Sequence, residues 1–298
     1  MRTYRLAIVG HPIQGGIENA TVSSQVFTHW LEAAFGEVAG VETEVVWAPS
    51  LVTCGVPAAE VYLVHDYLDK FAQYRENLPR GALVASFMEV PLPVRLPFTF
   101  LPSSSPAAVE IPLPFDCGEF SLEAGHEPRS VLLDHAWQAY VSGPSDWTHE
   151  VYRALEPLAG TRRIGQCMRY DMFNPPPFVE PVGPWPFRTY MAATAPFETF
   201  VVTHRGSYNG SIVDMAARGK RVVARRGYVH PEMVRRLGVL EVDSGEDLVR
   251  ALDAPWTPAP CVRDHLTDMR VAARIMDAWF RRLLEQAVST PAAGGTTR

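Results

Sequence analysis

The apolar positions in the first part of the chain form short continuous runs separated by stretches with helical spacing. The run RLAIVG at 5–10 is rich in β-branched residues and ends in glycine, which is typical of a strand covered on both faces. A helix is predicted over 19–35, because apolar residues recur there at intervals of three and four: Val22, Val26, Phe27, Trp30, Leu31 and Ala34. Further strands are predicted at 44–47, 60–64 and 82–87. A strand, a glycine turn and a helix form the beginning of a βαβ unit.

A second series of strands and helices begins at position 130. Strands are predicted at 130–135, 161–167, 200–203, 221–224 and 239–242. Helices are predicted at 146–158, 187–195, 210–218, 246–252 and 261–287, with Ser145 or Asp146 capping the first and Ser244 the fourth. Proline, which lacks a backbone donor, is dense in 90–114 and in 174–186. We expect extended edge segments in the first of these stretches and a loop in the second.

Two such series in tandem predict an α/β protein with two facing Rossmann-like domains, each built on a mostly parallel sheet. The length of 298 residues suits two domains of ordinary size. We place the N-terminal domain at 1–127, the C-terminal domain at 128–288 and a disordered tail at 289–298. Ligands of such sheets bind at the carboxyl ends of the strands, so the cleft between the domains is the expected binding site.

Charge and composition narrow the classes of function. The net charge of −6 and the pI of about 5.9 argue against a broad basic surface for nucleic acid, although arginines cluster between Arg205 and Arg236. The four cysteines lie far apart and form no CxxC pair, so neither a zinc site nor a redox motif is indicated. No apolar run approaches the roughly 18–20 residues that span a bilayer, and the first apolar run is too short for a signal peptide. A cytoplasmic location is therefore expected.

The segment 197–237, FETFVVTHRGSYNGSIVDMAARGKRVVARRGYVHPEMVRRL, carries the strongest functional signal. A buried strand is predicted to end at Thr203, and small and polar residues then lead into a helix. Small residues let a phosphate approach the backbone, and the free amides and dipole of the helix start favour an anion. His204 and Asn209 can add side-chain donors, whereas Asp214 lies one turn into the helix, where a carboxylate can accept hydrogen bonds from ribose hydroxyls. Gly219 is expected to end the helix.

This segment resembles the donor-sugar-nucleotide motif of GT-B glycosyltransferases. In that motif His-x-Gly precedes an Asn and a Ser, an acidic residue follows the Ser by three, and a Gly follows the acid by five. The corresponding residues here are His204, Gly206, Asn209, Ser211, Asp214 and Gly219. The interval from His to Asn is longer than in the plant-type motif, and Asp stands where Glu is more usual. The resemblance implies a GT-B fold, in which the long C-terminal helix crosses back to the first domain.

The resemblance also implies roles for individual residues. Donor binding is expected from Arg169, His204, Arg205, Gly206, Ser207, Asn209, Gly210, Ser211 and Asp214, with an arginine neutralising the leaving diphosphate in place of a metal ion. The loop HPIQGGIEN at 11–19, with Gly15, Gly16 and Asn19, is expected to face the acceptor and the diphosphate, and its two glycines would allow close approach of the backbone to the ligand. Glu18, His11 and Asp66 are alternatives for the general base that deprotonates the acceptor hydroxyl.

The predicted function is transfer of a hexose or pentose from a nucleoside diphosphate sugar to an acceptor hydroxyl. The sugar nucleotide is the substrate, and neither a cofactor nor a metal ion is expected. A small molecule, a glycan and a hydroxymethylated base in DNA all remain open as acceptors. Two alternatives also remain open: a nucleotide-sugar epimerase of the same fold, which needs no second substrate, and a non-catalytic sugar-nucleotide-binding protein. A dinucleotide-dependent enzyme is disfavoured, because the first loop lacks GxGxxG.

Overall fold

The structure is a computed structural model. It describes residues 3–21, 23–47, 49–64, 77–78, 82–86, 98–99, 109–110, 126–134, 145–167, 175–183, 187–205, 210–229 and 231–257, together with 274, 276–278, 280–282, 284–285 and 288. The chain divides into two compact units. Unit 1 comprises Met1–Ile17, Val22–Asp116 and Thr267–Arg298, and unit 2 comprises Glu18–Thr21 and Cys117–Leu266. Within the described ranges, no helix has the length and apolar character needed to cross a bilayer.

Unit 1 is built on a four-stranded parallel sheet with the order β2-β1-β3-β4. Its strands are β1 (Tyr4–Gly10), β2 (Val41–Trp47), β3 (Val61–Val64) and β4 (Leu83–Ser86). The helices α1 (Ser23–Gly36) and α2 (Ser50–Cys54) follow β1 and β2. Two short strands, β5 (Phe98–Thr99) and β6 (Val109–Glu110), pair in parallel as a separate sheet. The four strands predicted for the first series are thus confirmed.

Both faces of the unit 1 sheet are covered, as the apolar run in β1 predicted. On one face, β1 and α1 pack with Met276 and Phe280, which lie in the helical stretch between 274 and 288. The Phe280 ring meets Tyr4 edge-on, with ring centroids 5.9 Å apart. On the other face, Ala7 and Val9 pack against α2 and β3. Because Met276 and Phe280 are 0% and 3% exposed, the C-terminal helix belongs to the core of unit 1, which confirms that it crosses back to the first domain.

Unit 2 is built on a six-stranded parallel sheet with the order β12-β11-β10-β7-β8-β9. Its strands are β7 (Glu127–Leu133), β8 (Ile164–Cys167), β9 (Glu180–Val182), β10 (Phe197–Val202), β11 (Arg221–Arg225) and β12 (Leu240–Val242). Its helices are α3 (Asp146–Leu155), α4 (Phe187–Thr194), α5 (Gly210–Ala217), α6 (Pro231–Leu237) and α7 (Gly245–Asp253). Counted from β7, this is the strand order 3-2-1-4-5-6 of a Rossmann domain.

Local sequence signals account for several helix ends in unit 2. Ser145 and Ser244 cap α3 and α7, and each hydroxyl accepts the N–H of the residue three places on, at 3.1 and 3.2 Å. Gly219 has φ +84°, a left-handed conformation that favours glycine. The N–H groups of Gly219 and Lys220 each donate at 3.0 Å to carbonyls of the last turn of α5. This is a Schellman motif, so the predicted end of the helix is confirmed.

Three elements were not predicted. The structure places β9 inside 174–186, which was expected to be a loop. The reason is that β9 lies at the edge of the sheet and pairs only with β8, so Pro181 can occupy it without removing a second ladder of hydrogen bonds. The helices α2 and α6 have five and seven residues, and such short helices give little periodic signal.

Candidate functional site

In unit 2 the order of the strands reverses between β7 and β10. From β7 the chain moves outward through β8 and β9, and it then crosses to the opposite side of β7 to form β10. The two strands run parallel, with Leu133 opposite Val201. Along the sequence, β7 is followed by β8 on one side of it and β10 is followed by β11 on the other side. In open α/β sheets, ligands bind at the carboxyl edge at such a point. Asp134, Thr203 and His204 lie at this edge.

The Asp134 carboxylate and the His204 imidazole are in contact at this point. The Asp134 N–H donates to Val201 O at 2.8 Å, which holds the residue against β10. His204 Nδ1 lies 2.9 Å from Asp134 Oδ2, and the side chains are 21% and 1% exposed. Nδ1 itself is buried and the contact is not a well-aligned hydrogen bond, so the exposed part of the ring lies elsewhere on the imidazole. Attraction to the Asp134 carboxylate raises the pKa of His204, against the opposing effect of burial.

The end of β10 is held by the first turn of α3. Ser145 Oγ and Thr148 Oγ1 donate to Thr203 O at 3.2 and 3.1 Å. Trp147, which is fully buried, donates from Nε1 to Val202 O at 3.0 Å. Because these donors satisfy the last carbonyls of the strand, the backbone that leads into the histidine has a defined position.

Asp134 is also connected to β8 through a buried polar chain. Gln166 Nε2 donates to the backbone carbonyl of Asp134 at 3.4 Å, and Tyr152 OH donates to Gln166 Oε1 at 2.6 Å. Burial raises the pKa of Tyr152 to about 12, so the phenol stays protonated and can remain the donor at neutral pH. The residue that faces the histidine is thus supported from both neighbouring strands.

The predicted donor-binding residues lie on the segment that follows β10 in the sequence, except for Arg169, which follows β8. His204 and the start of α5, at Gly210 and Ser211, come after the same strand, and Arg205 is exposed. A helix start that follows a partly exposed imidazole in the chain is suited to an anion, because the free amides and the ring can all donate hydrogen bonds. The remaining predicted residues of this set lie outside the described residues: Gly206, Ser207, Asn209 and Arg169.

Asp214, the predicted ribose ligand, is buried within unit 2. Its side chain is 7% exposed, and Arg218 Nη1 lies 3.6 Å from its Oδ1. Arg218 is fully buried and donates to Thr194 Oγ1 at 2.8 Å and to Met191 O at 2.9 Å. The carboxylate therefore forms a buried ion pair with a residue one helical turn away. Its role in binding ribose stays a prediction.

In unit 1, the loop after β1 begins next to α1. His11 is partly exposed, and its N–H donates to Thr28 Oγ1 at 3.1 Å. A Cβ added at Gly10 would lie 2.5 Å from the same oxygen, so glycine allows the strand end to approach the helix. Gly15 has φ +91°, which favours glycine, and Gly16 follows it. Gly10 and Gly15 thus have structural reasons that are independent of a ligand.

The other candidate bases are placed differently from His11. Glu18 and Asn19 lie in a single 3-10 turn, Ile17–Asn19, and the segment Glu18–Thr21 groups with unit 2. There, the Phe187 N–H donates to Ala20 O at 2.8 Å. Asp66 lies outside the described residues. The choice among these three bases stays a prediction.

Sequence reasoning missed the residues that support His204, namely Asp134, Tyr152 and Gln166. It assigned Ser145 only as a helix cap, although its hydroxyl also donates to Thr203 O. One signal was available, because Asp134 is the first charged residue after the apolar run of β7 and therefore stands at the carboxyl edge of a central strand. Across the ranges that the structure describes, no group of three or more His, Cys, Asp or Glu side chains is arranged to hold a metal ion.

No protein-family model and no curated protein sequence matches the chain. Solved structures do match along nearly the whole length. AviGT4, a glycosyltransferase involved in avilamycin A biosynthesis, is similar with a TM-score of 0.62 and 14% identity over 96% of this chain and 99% of its own. Sucrose-phosphate synthase from Thermosynechococcus elongatus is similar with a TM-score of 0.60 and 13% identity over 96% of this chain and 100% of its own.

A third similar structure belongs to a different class of enzyme. It is the UDP-GlcNAc 2-epimerase from Methanocaldococcus jannaschii in complex with UDP-GlcNAc and UDP, with a TM-score of 0.51 and 9% identity over 94% of this chain and 100% of its own. Identities this low show the fold alone. The chain has the GT-B fold with two Rossmann-like domains, as predicted, and this fold is shared by glycosyltransferases and UDP-GlcNAc 2-epimerases.

Proposed function

We propose that the protein is a glycosyltransferase that moves a hexose or pentose from a nucleoside diphosphate sugar to an acceptor hydroxyl. The sugar nucleotide is the substrate, and the reaction needs neither a cofactor nor a metal ion. The observation that carries the proposal is the position of His204. It follows β10 where the strand order reverses, its ring is partly exposed, and the buried Asp134 carboxylate raises its pKa.

The chemistry of glycosyl transfer explains why such a residue is useful. When the bond from the anomeric carbon to the diphosphate breaks, negative charge develops on the departing nucleoside diphosphate. A protonated His204 and the amides at the start of α5 would stabilise that charge without reorganisation. We assign the same task to the cations of Arg169 and Arg205. Asp214 is the proposed ribose ligand, on the strength of its motif position.

The acceptor side of the proposal rests on the loop 11–19. Glu18, His11 and Asp66 remain the alternatives for the base that removes the acceptor proton. The acceptor is a small molecule, a glycan or a hydroxymethylated base in DNA. The acidic pI of about 5.9 makes DNA the least favoured of the three, because phosphate backbones are bound mainly by basic surfaces.

The donor site is tested by thermal unfolding of the full chain with UDP, ADP, GDP and dTDP and their sugar conjugates. A ligand at 100 times its dissociation constant should stabilise the protein by about 2.7 kcal/mol, which is visible as a raised midpoint. His204→Gln should reduce the shift, whereas His149→Gln, at an exposed position on α3, should leave it unchanged. If the wild type responds to none of these compounds, the proposed function is wrong. If it responds but His204→Gln does not weaken binding, the site is misplaced.

A second candidate function, nucleotide-sugar epimerisation, is favoured by the similarity to the UDP-GlcNAc 2-epimerase. Product analysis separates the two. A transferase releases nucleoside diphosphate only as fast as it glycosylates an added acceptor, whereas an epimerase changes the sugar without an acceptor. Saturable binding without turnover under either condition would instead indicate a non-catalytic sugar-nucleotide-binding protein.

A further inference from the structure

The Asp134–His204 pair joins two segments that are far apart in the sequence. Asp134 is 1% exposed, its N–H is bonded to β10, and its carbonyl accepts a hydrogen bond from Gln166. The backbone of Asp134 is therefore fixed on both sides, which defines the position from which the buried carboxylate extends. Moving a carboxylate into such a position carries a desolvation cost, and its Oδ2 lies 2.9 Å from one ring nitrogen of His204.

The surroundings of His204 make Asp134 its dominant electrostatic partner. Within the described part of the chain, attraction to the Asp134 carboxylate is the main cause that raises the pKa of His204, and burial opposes it. The side chains of α3 that reach the end of β10, Ser145 and Thr148, are uncharged hydroxyls, and both donate to Thr203 O. The protonation of His204 thus depends on one buried carboxylate.

We propose that Asp134 is a positioning residue that holds a proton on His204 Nδ1, so that the ring meets the donor as a cation and the site selects nucleoside diphosphates over monophosphates. The inference rests on the proposed function, because it concerns the same donor site. When Nδ1 keeps its proton against Asp134, the second proton of the imidazolium is on Nε2, which can then donate to a phosphate oxygen. A hydrogen bond from a cation is roughly twice as strong as one between neutral groups. In this proposal Nε2 reaches the terminal phosphate of a nucleoside diphosphate. A monophosphate lacks that group, so the gain in binding energy is confined to diphosphates.

The test compares wild type, Asp134→Asn and Glu246→Gln. Asparagine keeps the size of Asp134 and removes its charge. Glu246→Gln removes a charge from an exposed residue of α7, which follows β12, two strands away from β10. The probes are UDP and UMP, or the corresponding pair for whichever base gives the largest thermal shift. Dissociation constants are measured by calorimetry from pH 6.5 to 9, and the His204 pKa is measured by NMR of the imidazole nitrogens.

The expected results differ between the two probes. At pH 7, Asp134→Asn should weaken UDP about five- to tenfold, the difference between a charge-assisted and a neutral hydrogen bond. UMP should change by no more than about twofold, and Glu246→Gln should change neither. In the wild type, UDP affinity should fall as pH rises through the His204 pKa. In Asp134→Asn, that fall and the NMR pKa should both move to lower pH. A merely structural role of Asp134 would weaken both probes alike and leave the pH profile in place.

The outcomes separate this inference from the proposed function. If wild type binds no nucleoside diphosphate, the proposed function fails. If UDP binds wild type and Asp134→Asn equally at every pH, the inference is overturned and the donor site stands. Should Asp134→Asn not fold, the wild type alone decides. A His204 pKa at or below the usual 6.5, or the same pH dependence for UDP and UMP, would refute the role of Asp134.

Discussion

Replacing Arg218 by methionine should destabilise unit 2 strongly. Arg218 is fully buried, and it lies 3.6 Å from the Asp214 carboxylate while donating to Thr194 Oγ1 and Met191 O. Methionine fills much of the same volume, so the loss of packing is small. The main cost is that the Asp214 carboxylate, 7% exposed, stays in the interior without its cation. Breaking one partner of a buried pair in this way costs about 3–5 kcal/mol.

The assay is urea unfolding of wild type and variants, followed by tryptophan fluorescence and far-UV circular dichroism. The matched control is Arg226→Met, which removes an arginine from the exposed ion pairs with Asp243 and Glu241. Those charges are solvated and screened, so the control should change the unfolding midpoint far less than Arg218→Met. The double variant Asp214→Asn/Arg218→Met should recover part of the loss, because the uncompensated charge is gone.

Two results would refute this reasoning. One is a loss for Arg218→Met no larger than that for Arg226→Met, which would mean that the carboxylate is not held in the interior. The other is a double variant no more stable than Arg218→Met alone, which would mean that the loss comes from packing rather than charge.

The same variants also test Asp214 as a ribose ligand. Asp214→Asn should weaken donor binding even where the protein is fully folded, and unchanged binding would leave Asp214 with a structural role only.

Three further predictions concern unit 2. Gly165→Ala should cost about 1–3 kcal/mol of stability, because the added methyl would come within 2.6 Å of two buried side chains; Gly183→Ala, which meets no atom within 4 Å, should be nearly neutral in the same urea titration. The raised pKa of His204 should stabilise the fold fully below pH 6.5 and lose that effect as pH rises through the folded pKa; Asp134→Asn should remove this pH dependence from the unfolding midpoint, and an unchanged profile would contradict the assignment. Ser244→Ala should cost about 0.5–2 kcal/mol through the lost cap of α7, measured by thermal unfolding at constant pH.

Much of the fold could be predicted because the signals are local. A run such as RLAIVG needs cover on both faces wherever it occurs, and Ser145, Gly219 and Ser244 act through bonds to residues within one helical turn. The strand β9 was not predicted, because the interaction that forms it is not local. The strand β9 forms by pairing with the edge of β8, and the three residues of β9 contain no signal for that pairing.

The candidate site was less accessible to sequence reasoning. The motif 203–219 predicted where an anion would bind, because a strand, small residues and a helix start occur consecutively. It did not predict what acts on His204, because Asp134 belongs to another strand and carries no motif of its own. It likewise placed Asp214 on a ribose from spacing alone, and the spacing did not reveal the buried Arg218 beside the carboxylate.

The sequence by itself determined the two series of strands and helices, their parallel sheets and the GT-B resemblance, because periodicity, caps and motif spacing are properties of neighbouring residues. The tertiary structure alone decided which residues meet. The crossing of the chain from β9 to β10 brings Asp134 to His204, and the packing of α5 on the sheet places Asp214 inside. Such contacts depend on strand order and on the distances between elements remote in the chain, and a pattern read along one segment does not contain them.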